Sequence, residues 1–156
     1  MTVLALCPVP VDHPDALRLI SESEAELASL YAPEARHAFS PDQLIAADVH
    51  FLVARRDGAA VGCGGFATLS DDGRYGELKR VFTTCAARGL GVGRAVVTAL
   101  EAAAARRGLP VMRLETGEAS PDALALYAAC GYARRGPFGA YRENGSSVFM
   151  EKALTG

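Results

Sequence analysis

The chemistry of this chain is most legible in Arg88-Gly89-Leu90-Gly91-Val92-Gly93-Arg94, a glycine-rich turn between a strand-like and a helical stretch. Glycine lets the backbone approach a ligand with no Cβ in between. The N–H groups of a helix's first turn, with the positive end of its dipole, form an anion site. A diphosphate is the natural guest, although a glycine cluster alone also suits a tight turn that holds nothing. Two familiar phosphate-binding patterns fail. The fingerprint G-x-G-x-x-G places its third glycine on Arg94 when started from Gly89, and on Val96 when started from Gly91. The strand before the turn carries Glu77, Lys79 and Arg80 instead of a buried apolar run, and no Gly-Lys-Ser/Thr follows.

Other reactive residue types are scattered. Cys7, Cys63, Cys85 and Cys130 form no C-x-x-C pair, and His13, His37 and His50 show no spacing for a shared metal. A disulfide framework and a metal site are disfavoured, and a reduced, cytoplasmic compartment is the expectation. The apolar start from Met1 to Pro8 is short, lacks a basic flank and reads as a strand, not a signal peptide. No apolar run approaches a membrane span. The formal net charge of −2 argues against a nucleic-acid partner. With half of its 156 residues apolar, the chain can build the core of one domain, over 1–156.

The elements that must position the turn follow from periodicity. A strand is expected near 3–7, then a helix after Pro14-Asp15 whose apolar positions are Leu17, Ile20, Leu27, Leu30 and Tyr31. A short helix is expected around Pro41 to Ala46, and a hairpin follows, with strands 51–54 and 60–69 about Arg56-Asp57-Gly58. Gly62, Gly64 and Gly65 mark close backbone approach or a bulge. A strand over 77–84 leads into the glycine turn, and the helix beyond it ends near Gly108. A strand over 110–115, a helix over 121–130 capped by Ser120, and a last strand over 147–152 complete a mixed α/β sheet with helices on both faces.

In this order the motifs resemble the GNAT superfamily of N-acetyltransferases. Its Arg/Gln-x-x-Gly-x-Gly/Ala signature is matched by Arg88, Gly91 and Gly93. Glu77-Leu78-Lys79-Arg80 stands on the strand before, Leu114-Glu115-Thr116-Gly117 on the strand after, then Ala125-Leu126-Tyr127 followed by Gly131-Tyr132, and a closing Ser147-Val148-Phe149-Met150-Glu151-Lys152. The likeness runs from about residue 53 to 154, and residues 1–50 match only weakly. The resemblance implies a mostly antiparallel, twisted sheet and acetyl-CoA as co-substrate, with no metal. It implies that backbone amides of Arg88, Gly89, Leu90, Gly91, Val92, Gly93 and Arg94 hold the CoA diphosphate. It implies that Val81, Phe82 and Thr83 line the pantetheine through their backbone. Thr83 departs from the apolar residue usual there, and no asparagine role is transferred to Thr116-Gly117-Glu118.

Amine acetylation sets a proton problem, because an alkylammonium with a pKa of about 10 is rarely neutral at pH 7. A base must take the amine's proton and an acid must meet the departing thiolate. By family position, eleven residues before Arg88, Glu77 is the candidate base; a solvated strand glutamate paired with Lys79 or Arg80 is its plain alternative. Tyr127 resembles the family tyrosine whose hydroxyl approaches the CoA sulfur, against a core tyrosine with its hydroxyl at the rim. The aromatic loop Pro137-Phe138-Gly139-Ala140-Tyr141 could touch the acceptor. Glu22, Glu24 and Glu26 read as the solvated face of a helix. The acceptor is a small-molecule or peptide amine, and a homodimer stays open as the assembly. A non-catalytic acyl-CoA sensor and an acyltransferase using another acyl-CoA are the alternative functions.

Overall fold

Alternation within Phe51-Leu52-Val53-Ala54 sets the layers of the molecule. Successive strand residues point to opposite faces. Phe51 and Val53 pack with Leu19, Ile20 and Leu44, whereas Leu52 and Ala54 pack with Val96, Val97 and Leu100. Both faces are therefore covered, which is why the run is apolar throughout.

The computed structural model describes residues 3–154; Met1 and Thr2, which begin the apolar N-terminal segment, and the last two residues lie outside it. The chain runs β1 (Leu4–Pro8), α1 (Pro14–Leu30), α2 (Pro41–Ala46), β2 (His50–Arg56), β3 (Ala59–Leu69), β4 (Tyr75–Thr83), α3 (Val92–Arg106), β5 (Val111–Gly117), α4 (Pro121–Ala129), β6 (Ala133–Arg135) and β7 (Ser147–Ala153). The sheet order is β1-β2-β3-β4-β5-β7-β6, antiparallel between all neighbours except β4 and β5.

The expected helices form, with two local corrections. α1 begins where His13 accepts the Asp15 amide at 3.1 Å through its ring nitrogen and Pro14 occupies the first turn. Its buried stripe is Ala16, Leu19, Ile20 and Ser23, not the stripe through Leu17 and Leu30, which are 40% and 46% exposed. α2 carries a complete capping box between Ser40 and Gln43. Ser120 stands at the N-cap of α4 but makes no capping bond; its hydroxyl is shared with that of Tyr31 at 2.7 Å instead.

Two features open the sheet at its centre. α3 lies very close to β3, because a Cβ on Gly62 would come within 2.7 Å of Val92 and one on Gly64 within 2.9 Å of Val96. The β3–β4 ladder slips between Cys63 and Gly65, opposite Arg80, whose φ of 56° is left-handed. β4 and β5 pair only at Gly76–Met112 and Glu77–Arg113. Beyond those pairs β4 stays with β3 and β5 with β7, so the two parallel strands part like a V.

Candidate active site

The V is the floor of a cleft of about 880 Å³. β4 from Leu78 to Thr83 and β5 from Leu114 to Gly117 form its two arms, with the end of α1 on one side and α4 on the other. Where β4 leaves β5, Val81, Phe82 and Thr83 line the cleft, still laddered to β3 on one side but with no strand pairing among the described residues on the side facing β5. An extended ligand could lie along it and make strand-like bonds.

The glycine turn closes one end. Gly89 and Gly91 both have φ of +80°, and no atom lies within 4 Å of the point where a Cβ would stand on either. Open space therefore faces the turn where a side chain would otherwise be. Gly91 is the left-handed N-cap of α3, and the Ala95 amide is the first to return to it, donating to the Gly91 carbonyl at 3.1 Å. The amides of Val92, Gly93 and Arg94 belong to the helix's first turn, whose N–H groups find no partner within the helix. Gly93 serves packing: its Cβ would sit 3.1 Å from Leu126. Leu90 is half-exposed at the tip. The Arg88 amide donates to the Cys85 carbonyl at 3.4 Å. Its guanidinium bonds the Thr83 carbonyl at 3.1 Å and pairs with Glu26 at 2.7 Å. The free amides, the space in front of them and the unpaired β4 edge fit a diphosphate with a long pantetheine arm.

Glu77 is not a solvated strand residue. It is 5% exposed, and its Oε2 meets Lys79 Nζ at 2.9 Å and accepts the Tyr141 hydroxyl at 2.5 Å. Lys79 also donates to that hydroxyl at 3.0 Å and lies 3.8 Å above the Phe39 ring. Burial and the adjacent Glu77 carboxylate hold the Tyr141 phenol above its ordinary range. The aromatic loop thus reaches the cleft through Tyr141, which is among its lining residues. Arg80 is anchored by the Phe39 carbonyl at 2.8 Å, Ser23 at 3.1 Å and Glu24 at 2.6 Å. The glutamates of α1 are therefore not a plain solvated face, since Glu24 holds Arg80 and Arg36, and Glu26 holds Arg88.

Two residues along β5 from Arg113, the pairing partner of Glu77, stands a second carboxylate that the motif reading did not single out. Glu115 lines the cleft and accepts the Ser147 hydroxyl at 2.7 Å. Burial, helped by the charge of Glu77 and opposed by Ser147 and Lys79, raises its pKa to about 7. Tyr127, on α4, also lines the cleft. It is 7% exposed, packs edge-on against Tyr132 at 5.8 Å, and burial keeps its hydroxyl protonated well above the ordinary range. Cys63 is buried, with its thiol pushed up to about 12, and the cysteines among the described residues are all free. No helix among the described residues is long and apolar enough to cross a membrane.

A mixed sheet split between parallel strands, with a glycine turn and a helix N-terminus at the split, is a frame this chain shares with a provisionally assigned acyl-CoA N-acyltransferase. The model of the acetyltransferase (GNAT) family matches residues 16–132, and the chain belongs to that family and is an acetyltransferase. It is 43% identical over 138 residues to an IAA acetyltransferase of Azospirillum brasilense, covering 88% of this chain and 90% of that one. A provisionally assigned acyl-CoA N-acyltransferase from Klebsiella pneumoniae superposes with a TM-score of 0.81 at 34% identity, over 98% of this chain and 99% of the other. The fold is shared with a Thermoplasma acidophilum N-acetyltransferase solved with coenzyme A, at a TM-score of 0.73 and 16% identity, over 97% of this chain and 99% of that one.

Proposed function

We propose that this protein, working as one domain, moves the acetyl group of acetyl-CoA to the primary amine of a small molecule by direct attack in a ternary complex. The observation that carries the mechanism is that Glu115, held by a neutral hydroxyl at 2.7 Å and by no cation among the described residues, lines the same cleft as Tyr127. When bound, acetyl-CoA supplies the activated acyl carbon. Val92, Gly93 and Arg94 would hold its diphosphate together with the turn from Arg88 to Gly91, and Val81, Phe82 and Thr83 its arm. Glu115 takes a proton from the ammonium, which frees the nitrogen lone pair for attack. The N–C bond forms, the C–S bond breaks, and the Tyr127 hydroxyl gives its proton to the leaving sulfur. The second proton of the nitrogen passes to solvent as the amide forms, and Tyr127 is reprotonated from solvent.

Glu77 supports a second reading of the base. Its Oε2 is held by an ammonium and a hydroxyl, so it would act through its other oxygen or through water. In the first reading Glu77 fixes Lys79 and Tyr141 beside the acceptor. Free cysteines suit a reducing cytoplasm. The test is release of free thiol from acetyl-CoA over a panel of small amines. Amine-dependent release supports transfer, whereas acyl-CoA binding without release would leave only a sensor.

A further inference from the structure

We propose that the acceptor is a small amino carboxylate, with Arg36 receiving the carboxylate while the amine faces Glu115. This rests on the acetyl-transfer function proposed above and deepens it.

The size limit comes from two bridges over the cleft. The Tyr31 hydroxyl at the end of α1 meets Ser120 before α4 at 2.7 Å. His37 meets Asn144 at 3.3 Å and stands edge-on to the Tyr141 ring at 5.6 Å. A folded protein's lysine or an extended peptide crossing the cleft would have to break these contacts, whereas a small molecule need not span them.

The charge comes from counting donors. Lys79 is occupied by Glu77, Tyr141 and the Phe39 ring. Arg80 is occupied by Phe39, Ser23 and Glu24. Arg36 lines the cleft and differs from both. One of its terminal nitrogens meets Glu24 at 2.8 Å, and its Nε is buried with no partner among the described residues. Glu24 faces two guanidiniums, Arg36 and Arg80, so this wall keeps one positive charge in excess. A guanidinium that shares its only carboxylate partner among the described residues with a second guanidinium binds a further carboxylate by charge-assisted hydrogen bonds.

The two ends belong to one cleft, and a chain of hydrogen bonds runs beside them. His37, next to Arg36, is joined to Glu115 through Asn144 and Ser147 by contacts of 3.3, 3.0 and 2.7 Å. The positive wall and the carboxyl group that accepts the ammonium proton thus line one cleft, with opposite preferences, as the two ends of an amino carboxylate require.

The test uses matched acceptors: amino acids of varied side chain, their carboxamides and their decarboxylated amines, read by thiol release. In the wild-type protein kcat/KM should be about tenfold to a hundredfold higher for the carboxylates, as expected for a hydrogen-bonded charge. Arg36→Met should bring that ratio toward one by raising KM, and Arg36→Lys should regain part of it. CoA affinity by calorimetry should stay within about twofold in both variants. Carboxamides or decarboxylated amines used as well as the amino acids by the wild type would overturn the proposal and leave acetyl transfer standing. So would a preference for carboxylates that survives Arg36→Met. Absence of thiol release with every amine, while CoA still binds, would instead overturn the function on which the proposal rests.

Discussion

Glu77 stands at the closed end of the V and Glu115 on its β5 arm, yet their surroundings separate their roles. Glu77 is clamped by Lys79 and Tyr141, and removing one partner of a buried ion pair strands the other charge. Glu77→Gln should therefore lower stability by about 3 kcal/mol, measurable by denaturant titration, and Lys79→Met in the same chain should recover much of it. Glu115 has only a neutral hydroxyl on it and titrates at about 7. If it is the base, kcat/KM should rise with pH through about 7 in the wild type. Glu115→Gln should lose that limb together with about a hundredfold of activity, and alkaline pH should restore part of the rate by deprotonating the amine in solution. A neutral limb that persists in Glu115→Gln and vanishes in Glu77→Gln would assign the base to Glu77. Tyr127→Phe should lower turnover with no alkaline rescue, because it removes the proton donor and leaves the ring packing in place.

Among the elements, the glycine turn and α3 were legible in the sequence because their determinants are local. A left-handed N-cap needs a glycine, and Gly91 stands where the helix begins. The capping box Ser40/Gln43 and the hairpin turn with Asp57 and Gly58 at positive φ are local too. What could not be read depends on partners far along the chain. Lys79 and Glu77 look solvated until Tyr141 arrives from the loop of residues 136–146, and Arg80 until Glu24 arrives from α1. Ser120 is a sound N-cap by type, but Tyr31 captures its hydroxyl. Glu115 gave no signal beyond its motif, since its burial and its bond to Ser147 depend on the register of β5 against β7. The turn yields a direct test. Gly91→Val must adopt φ near +80° and places its side chain in the open space before the amides, costing about 1–2 kcal/mol in backbone strain. In thermal shift, acetyl-CoA should raise the melting temperature of the wild type by mass action and leave that of Gly91→Val unchanged. An equal ligand-induced rise in both proteins would make the turn merely structural.

For the whole molecule, the half-buried Glu115 carboxyl in the V links stability to pH, and the sign follows from proton counting. Glu115 binds its proton more tightly in the fold, with a pKa of about 7, than in the unfolded chain at 4.5. Its contribution is therefore fully present below the unfolded value and is lost as pH rises through about 7. Glu24 and Glu151 act oppositely. Arg80 beside Glu24, and Arg113 with Arg135 beside Glu151, hold these carboxyls below the ordinary range, so their contribution is present above the unfolded value and fades in acid. Burial likewise lowers the pKa of His50, which adds to the acid-side loss as pH falls below the ordinary histidine range. Because these trends overlap, the wild-type optimum is a compromise, and the difference between two proteins isolates Glu115. Glu115→Gln keeps an acceptor for Ser147 and removes the titration. Its stability relative to the wild type should be flat below the ordinary carboxyl range and climb between there and neutrality. It should level above pH 8 at a gain of about 3 kcal/mol, or about 9 °C in Tm for a chain of this size. A Tm difference that stays constant across that range would mean that Glu115 is solvated in the protein in solution, and the proton-accepting role assigned to it in the cleft would fall with it.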